Sequence, residues 1–212
     1  MFGLFKKKNE AVPVSPQSNV VPSTLEAQLD ALAALGLRLS EDASIDDFLF
    51  AFPRKQYEGK LFDLVLNMLG SEIQRQPWGR PICPMVWDFD TECIYETGDY
   101  AHVVKRLCQV AQRPDCLKEV MDFVDIDAGQ AWLKFEADGM QARLELEVNN
   151  DWADVEALVE VMAFIEDEEH RFYAKDNGQA MVLFYLDATT AAELNRLSGN
   201  ALSPAVPESS EE

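Results

Sequence analysis

Histidine is scarce in this chain, with two in 212 residues, and none of the four cysteines forms a Cys-x-x-Cys pair. Cys83, Cys93, Cys108 and Cys116 lie ten, fifteen and eight residues apart. Structural zinc requires closely spaced thiolates or imidazoles, so this pattern predicts reduced thiols and no zinc. Fingerprints for a serine hydrolase, a phosphate-binding loop and a dinucleotide fold are missing. No apolar run is long enough to cross a bilayer, and no segment repeats. Basic residues are few: 18 Lys and Arg stand against 38 Asp and Glu, a formal charge of −20. Such a surface repels phosphate backbones and anionic membranes, which argues against a nucleic-acid partner. The opening Phe2 to Phe5 is too short for a secretory apolar region, and Lys6, Lys7 and Lys8 follow it instead of preceding it. Two Phe and three Lys fall below what stable membrane anchoring needs. The expectation is a cytoplasmic protein without a cofactor.

The chain does contain enough apolar residues, 48%, to fill a core. Proline placement divides it into four parts: residues 1–22 as a disordered leader, 23–75 as a helical segment packed on the core, 76–200 as an α+β core domain, and 201–212 as a disordered acidic tail. Within the helical segment, Ser23-Thr-Leu-Glu26 and Ser44 with Asp47 have the spacing of helix caps. Residues 57–69 fit a helix interrupted by Gly59, and a buried strand is the alternative. Pro77, Gly79, Pro81 and Pro84 mark a loop. Residues 85–89 suit a short strand, and Tyr100, Val103, Val104, Leu107 and Cys108 a buried helical face. Residues 117–124 suit either a strand or a helix.

The rest is organised around residues 132–187, which read as a β-β-α-β-β unit. Leu133, Phe135 and Ala137 alternate with Trp132, Lys134 and Glu136, and the alternation resumes with Met140, Ala142, Leu144, Leu146 and Val148 facing the core. Asp138-Gly139 between the two runs calls for a type I′ hairpin. Asp151 is placed to cap a helix that buries Trp152, Val155, Leu158, Val159, Met162 and Ile165. The run Glu166 to Glu169 reads as a solvated connection. A strand over 171–175, a turn at 176–178 and an apolar strand over 180–186 follow, then a short helix ending at Gly199. The fold class is α+β, with a mainly antiparallel sheet of four or five strands.

Two constellations carry possible chemistry. Pro84 to Glu92 is an apolar run ending in Asp88, Asp90 and Glu92, and it resembles the phosphatase motif of the haloacid dehalogenase superfamily. That resemblance implies Asp88 as nucleophile, Asp90 as general acid, and a later acidic pair among Asp122, Asp125 and Asp127 for magnesium. Glu92 stands where the family has Thr or Val. The hydrolase alternative therefore rests on Asp88, Asp90 and Glu92 as weak metal ligands; the alternative use of such acids is to anchor a loop. His102 and His170 read as exposed. The second constellation is charge: from Asp115 to His170 the sequence has 17 acidic residues against 3 basic ones, a net of −14.

Trp87-Asp-Phe-Asp-Thr-Glu92, Gly98-Asp-Tyr100, Asn150-Asp-Trp-Ala-Asp154, Arg171-Phe-Tyr173 and Gly178-Gln179, in this order, resemble an uncharacterised bacterial family of immunity-type proteins from polymorphic toxin systems. The likeness covers about half the chain, from Trp87 to Gly199. It implies a small cytosolic binding protein that neutralises a partner; the acidic surface adds the expectation of a basic partner, so the reading is a non-catalytic inhibitor of a basic toxin or effector domain acting by stoichiometric binding. The expected contact face is Asp151, Trp152 and Asp154, with Glu145, Glu147 and Glu168 contributing charge. A regulatory or scaffold subunit has the same sequence signature, and oligomeric state is open.

Overall fold

Short polar side chains set the first helix starts. In this computed structural model, which describes residues 23–207, the Thr24 hydroxyl accepts from the Ala27 amide and opens α1 (Leu25–Ala34), one residue later than the capping-box spacing predicts. Ser44 and Asp47 cap α2 (Ile45–Ala51) reciprocally, as expected. Residues 57–69 are helical in two pieces, α3 (Arg54–Gly59) and α4 (Asp63–Gly70). Between them Phe62 adopts a left-handed φ of 64°, a costly conformation for a bulky residue. Fully buried Gln28 secures it: Oε1 accepts from the Phe62 amide at 2.7 Å, and Nε2 donates to the Tyr57 carbonyl at 3.1 Å.

The chain continues through β1 (Val86–Asp90), α5 (Asp99–Val110), β2 (Leu117–Asp125), β3 (Gln130–Ala137), β4 (Met140–Leu146), α6 (Val155–Ile165), β5 (His170–Asn177), β6 (Ala180–Asp187), α7 (Ala188–Ser198) and β7 (Ser203–Pro204). These elements make an α+β fold with two antiparallel sheets, one ordered β1-β6-β5-β7 and the other β2-β3-β4. The expected β-β-α-β-β succession is present, but its two hairpins join different sheets. Asp138 and Gly139 both have positive φ, 50° and 78°, as a type I′ turn requires. The second turn centres on Gly178-Gln179, slightly later than expected, with φ of 76° at Gly178.

Strand β6 divides the interior. Val182, Phe184 and Leu186 alternate toward α1, α4 and α7, in a cluster with Leu25, Leu32, Leu66, Leu69 and Leu194. Leu183 and Tyr185 point the opposite way, into a cluster with Val104 and Leu107 of α5, Leu158 and Met162 of α6, and Leu133 and Phe135 of β3. All five consecutive side chains, 182 to 186, are buried. Full burial of each large side chain stabilises by roughly 1.5–3 kcal/mol. The outer sheet, β2-β3-β4, buries only one face; Trp132, Lys134 and Glu136 on the other are partly exposed.

Several expectations change. Met140 flanks the hairpin turn and is 68% exposed, so it is not a core residue. Asp154, not Asp151, caps α6. Glu166 is not solvated: its carboxylate accepts from the Phe172 amide at 2.8 Å and from Arg171 Nε at 3.3 Å. His170 is half-buried and stacks on Tyr185, with ring centroids 5.6 Å apart. The tail begins later than residue 201, because Leu202 is buried and β7 pairs with β5. The expected leader, residues 1–22, and the acidic end, 208–212, lie outside the described residues. Strand β1 pairs antiparallel with β6, as do all the strand pairs among the described residues.

Candidate functional site

The motif segments separated in sequence are bonded into one acidic junction. Beyond β1, residues 91–94 run antiparallel to residues 151–153: the Ala153 amide donates to Thr91 O at 2.7 Å, the Ile94 amide donates to Asp151 O at 2.9 Å, and Glu92 bridges Trp152. The β5–β6 turn closes a second side. Thr91 Oγ1 donates to Gln179 O, and Gln179 Nε2 donates to Glu92 Oε2, both at 2.6 Å. A third side comes from α5, where the buried Tyr100 hydroxyl accepts from the Asp154 amide at 2.8 Å. Burial, foremost, pushes the Tyr100 hydroxyl up to about 12, so it stays protonated at neutral pH.

Asp154 fastens two elements at once. Its Oδ1 accepts from the Ala157 amide at 3.0 Å, at the start of α6, and its Oδ2 accepts from the Glu147 amide at 2.8 Å, just past β4. A carboxylate there also suits the positive end of the helix dipole. Glu147, Trp152 and Asp154 line a shallow depression of about 190 Å³ with Asn149 and Glu156. Trp152 is half-buried and precedes the helix rather than lying on its first turn. Beside them Tyr95 is 63% exposed, with its hydroxyl donating to Glu92 O at 3.0 Å. Its pKa is raised by partial shielding from water and by the charges of Asp151, Glu92 and Asp90. Among the described residues no Lys or Arg forms an ion pair with Asp90, Glu92, Glu147, Asp151 or Glu156.

Four of the six residues expected at the contact face therefore meet: Glu147, Asp151, Trp152 and Asp154. Glu145 does not join them; it lies on the outer sheet beside Trp132 and pairs with Arg143 at 2.7 Å. Glu168 follows the far end of α6, an 11-residue helix about 16 Å long. Sequence reasoning missed Tyr95 and Tyr100. Gly98-Asp-Tyr100 was present in the motif set, but nothing local indicated that its hydroxyl receives a backbone amide 54 residues away.

The proposed hydrolase residues each accept a hydrogen bond from a different group. Asp88 Oδ1 accepts from Asn177 Nδ2 at 3.2 Å, on the side of the sheet where Lys175 Nζ reaches Asn67 at 2.8 Å and Asp63 at 3.3 Å. Burial pushes the Asp88 carboxyl up. Asp90 accepts from the Glu92 amide at 3.0 Å, and Glu92 is bound by Gln179. Asp122 caps α5, accepting from the Gly98 amide at 2.9 Å, and Asp125 accepts from the Ala128 amide at 2.9 Å. No three His, Cys, Asp or Glu among the described residues converge in a metal-binding arrangement. Asp88, Asp90 and Cys93 do line a cleft of about 350 Å³ with His102 and Arg106. Burial, with Asp90 and Asp99 nearby, pushes the Cys93 thiol up to about 11, unsuited to nucleophilic attack at neutral pH. Comparison with family models, curated proteins and solved structures gives no match.

Proposed function

We propose that this chain is a non-catalytic acidic binding protein of the cytoplasm, an immunity-type inhibitor that neutralises a basic toxin or effector domain by stoichiometric contact. The observation that carries this reading is the junction itself: carboxylates that form no Lys or Arg ion pair among the described residues lie beside an exposed Tyr95 and a half-buried Trp152. Clustered negative charge accelerates encounter with a basic surface, and Tyr and Trp supply amphipathic anchors once contact is made. Hydrogen bonds from β1, α5 and the β5–β6 turn fix the backbone beforehand, which lowers the ordering cost of binding. The resemblance to immunity-type proteins supports the neutralising role, and the acidic charge supports a basic partner. Glu145 and Glu168 contribute to the long-range field rather than to the contact.

Capture from native lysate by the wild-type chain and by a Glu147→Lys/Asp151→Lys/Glu156→Lys variant tests the proposal. Asp154 is left intact because it caps α6. The expected result is one basic protein retained by the wild type in a one-to-one complex, with association at low salt slowed about tenfold or more in the variant and its salt dependence flattened. Equal association rates and equal salt dependence would remove this face from the binding surface.

A further inference from the structure

Cys108 and Cys116 stand apart from the acidic junction, on either side of the connection between α5 and β2. Their sulfurs are 3.4 Å apart, and all four cysteines are free thiols. A disulfide requires about 2.05 Å, so the pair has only ~1.4 Å to close, within reach of side-chain rotation. The connecting turn is itself held in place: the Arg113 amide donates to Cys108 O at 2.9 Å, and the Cys116 amide donates to Arg113 O at 3.1 Å. Access is unequal. Cys108 is 1% exposed, at the wall of a groove of about 470 Å³ that Ala101, Val104, Lys105, Pro114 and Leu117 also line, whereas Cys116, outside that lining, is half-buried.

We propose that Cys108 and Cys116 form a reversible dithiol–disulfide pair, a modification site whose oxidant is a low-molecular-weight disulfide. The roles follow from chemistry and position. Hydrogen bonding from Cys108 and, more weakly, the charge of Arg113 hold the Cys116 thiol down to about 7, against the effect of its burial. In the fully protonated pair either sulfur can donate, but once one ionises the charge resides on the more accessible Cys116 and Cys108 becomes the donor. Cys108 is accordingly pushed up. Cys83 and Cys93 are each pushed up to about 11, chiefly by burial, so they remain thiols at neutral pH.

Cys116 thiolate attacks one sulfur of the small disulfide, whose S–S bond breaks. The first small thiolate leaves and takes up the proton that Cys116 released. Cys108 Sγ then attacks Cys116 Sγ in the mixed disulfide, and the second small thiolate departs with the proton from Cys108. Two protein thiols are oxidised to one disulfide, and one small disulfide is reduced to two thiols. The cross-link ties the C-terminal half of α5 to the start of β2 and leaves the acidic junction uncovered, so it is independent of the binding role.

Equilibrating the full-length chain in a series of reduced and oxidised glutathione mixtures, quenching with acid, alkylating and mapping the peptides tests this. The expected first product is a Cys108–Cys116 cross-link, with Cys83 and Cys93 still alkylated, and at pH 7 iodoacetamide should label Cys116 at least about tenfold faster than Cys93. In Cys108→Ser, glutathione should remain attached to Cys116, because no second thiol displaces it. The proposal is overturned if Cys83 or Cys93 oxidises first, if all four thiols survive the most oxidising mixture, or if Cys108→Ser acquires no adduct. Should that variant fail to fold, the order of oxidation in the wild type decides alone.

Discussion

Two hairpins in this protein each turn through two residues yet carry different loads. The β3–β4 pair turns at Asp138-Gly139 and buries one face; the β5–β6 pair turns at Gly178-Gln179, and β6 has both faces covered. The alternating strands β3 and β4 thus form an outer wall, and the continuous apolar run of β6 forms a shared partition. The difference arises from what docks on the second face. On β6 it is the helical layer of α1, α4 and α7, whereas on β3 it is water, with Arg143 4.5 Å above the Trp132 ring. A turn motif specifies pairing between neighbours; alternation or a continuous apolar run sets how many faces can be buried, and distant segments supply the cover.

The largest expected effect separates the hairpins by core truncation. Phe184→Ala on β6 should lower unfolding stability by about 3–5 kcal/mol, and Leu144→Ala on half-buried β4 by roughly 1–2 kcal/mol, both read from urea midpoints at constant slope. Equal losses would mean that the outer sheet is as firmly packed as the partition. A smaller effect should make the hairpins indistinguishable. Gly139→Ala and Gly178→Ala each meet open space but retain φ near +77°, given 78° and 76°, so each should cost about 1–2 kcal/mol by thermal unfolding. The smallest effect belongs to the wet face. A double-mutant cycle between Trp132→Ala and Arg143→Ala should return a coupling of about 0.5–1 kcal/mol, the scale of an exposed cation–π contact. A coupling near zero would leave the stacked Trp132 and Phe123 rings, 6.2 Å apart, as the ordered feature of that face.

What the sequence makes legible here is local. Alternation around Asp138-Gly139, the Ser44 and Asp47 cap, and the apolar run at 180–186 all appear where pattern places them, because each depends on residues a few positions apart. Residues 57–69 show the limit: their helical period is visible, but the break at Phe62 depends on Gln28, 34 residues earlier. The cap of α6 is misplaced to Asp151 for a similar reason. Both aspartates have suitable chemistry, and the pairing of residues 151–153 with 91–94 decides between them. At the candidate site the acids and Trp152 are visible from composition, whereas Tyr100 and Asp122 act across the fold. The short β7 is invisible because two residues, Ser203 and Pro204, carry no periodicity.

The partition strand also bears on how the chain is made. Roughly 110 residues separate α4 from β6, so at the usual ~5–20 residues per second a ribosome needs on the order of 5 to 20 s to supply that strand after the helices have emerged. Throughout that interval Leu25, Leu32, Leu66 and Leu69 lack the sheet they finally cover. Nascent helices in this condition attract chaperones, and slowing or pausing of translation between residues 71 and 179 would lengthen their exposure.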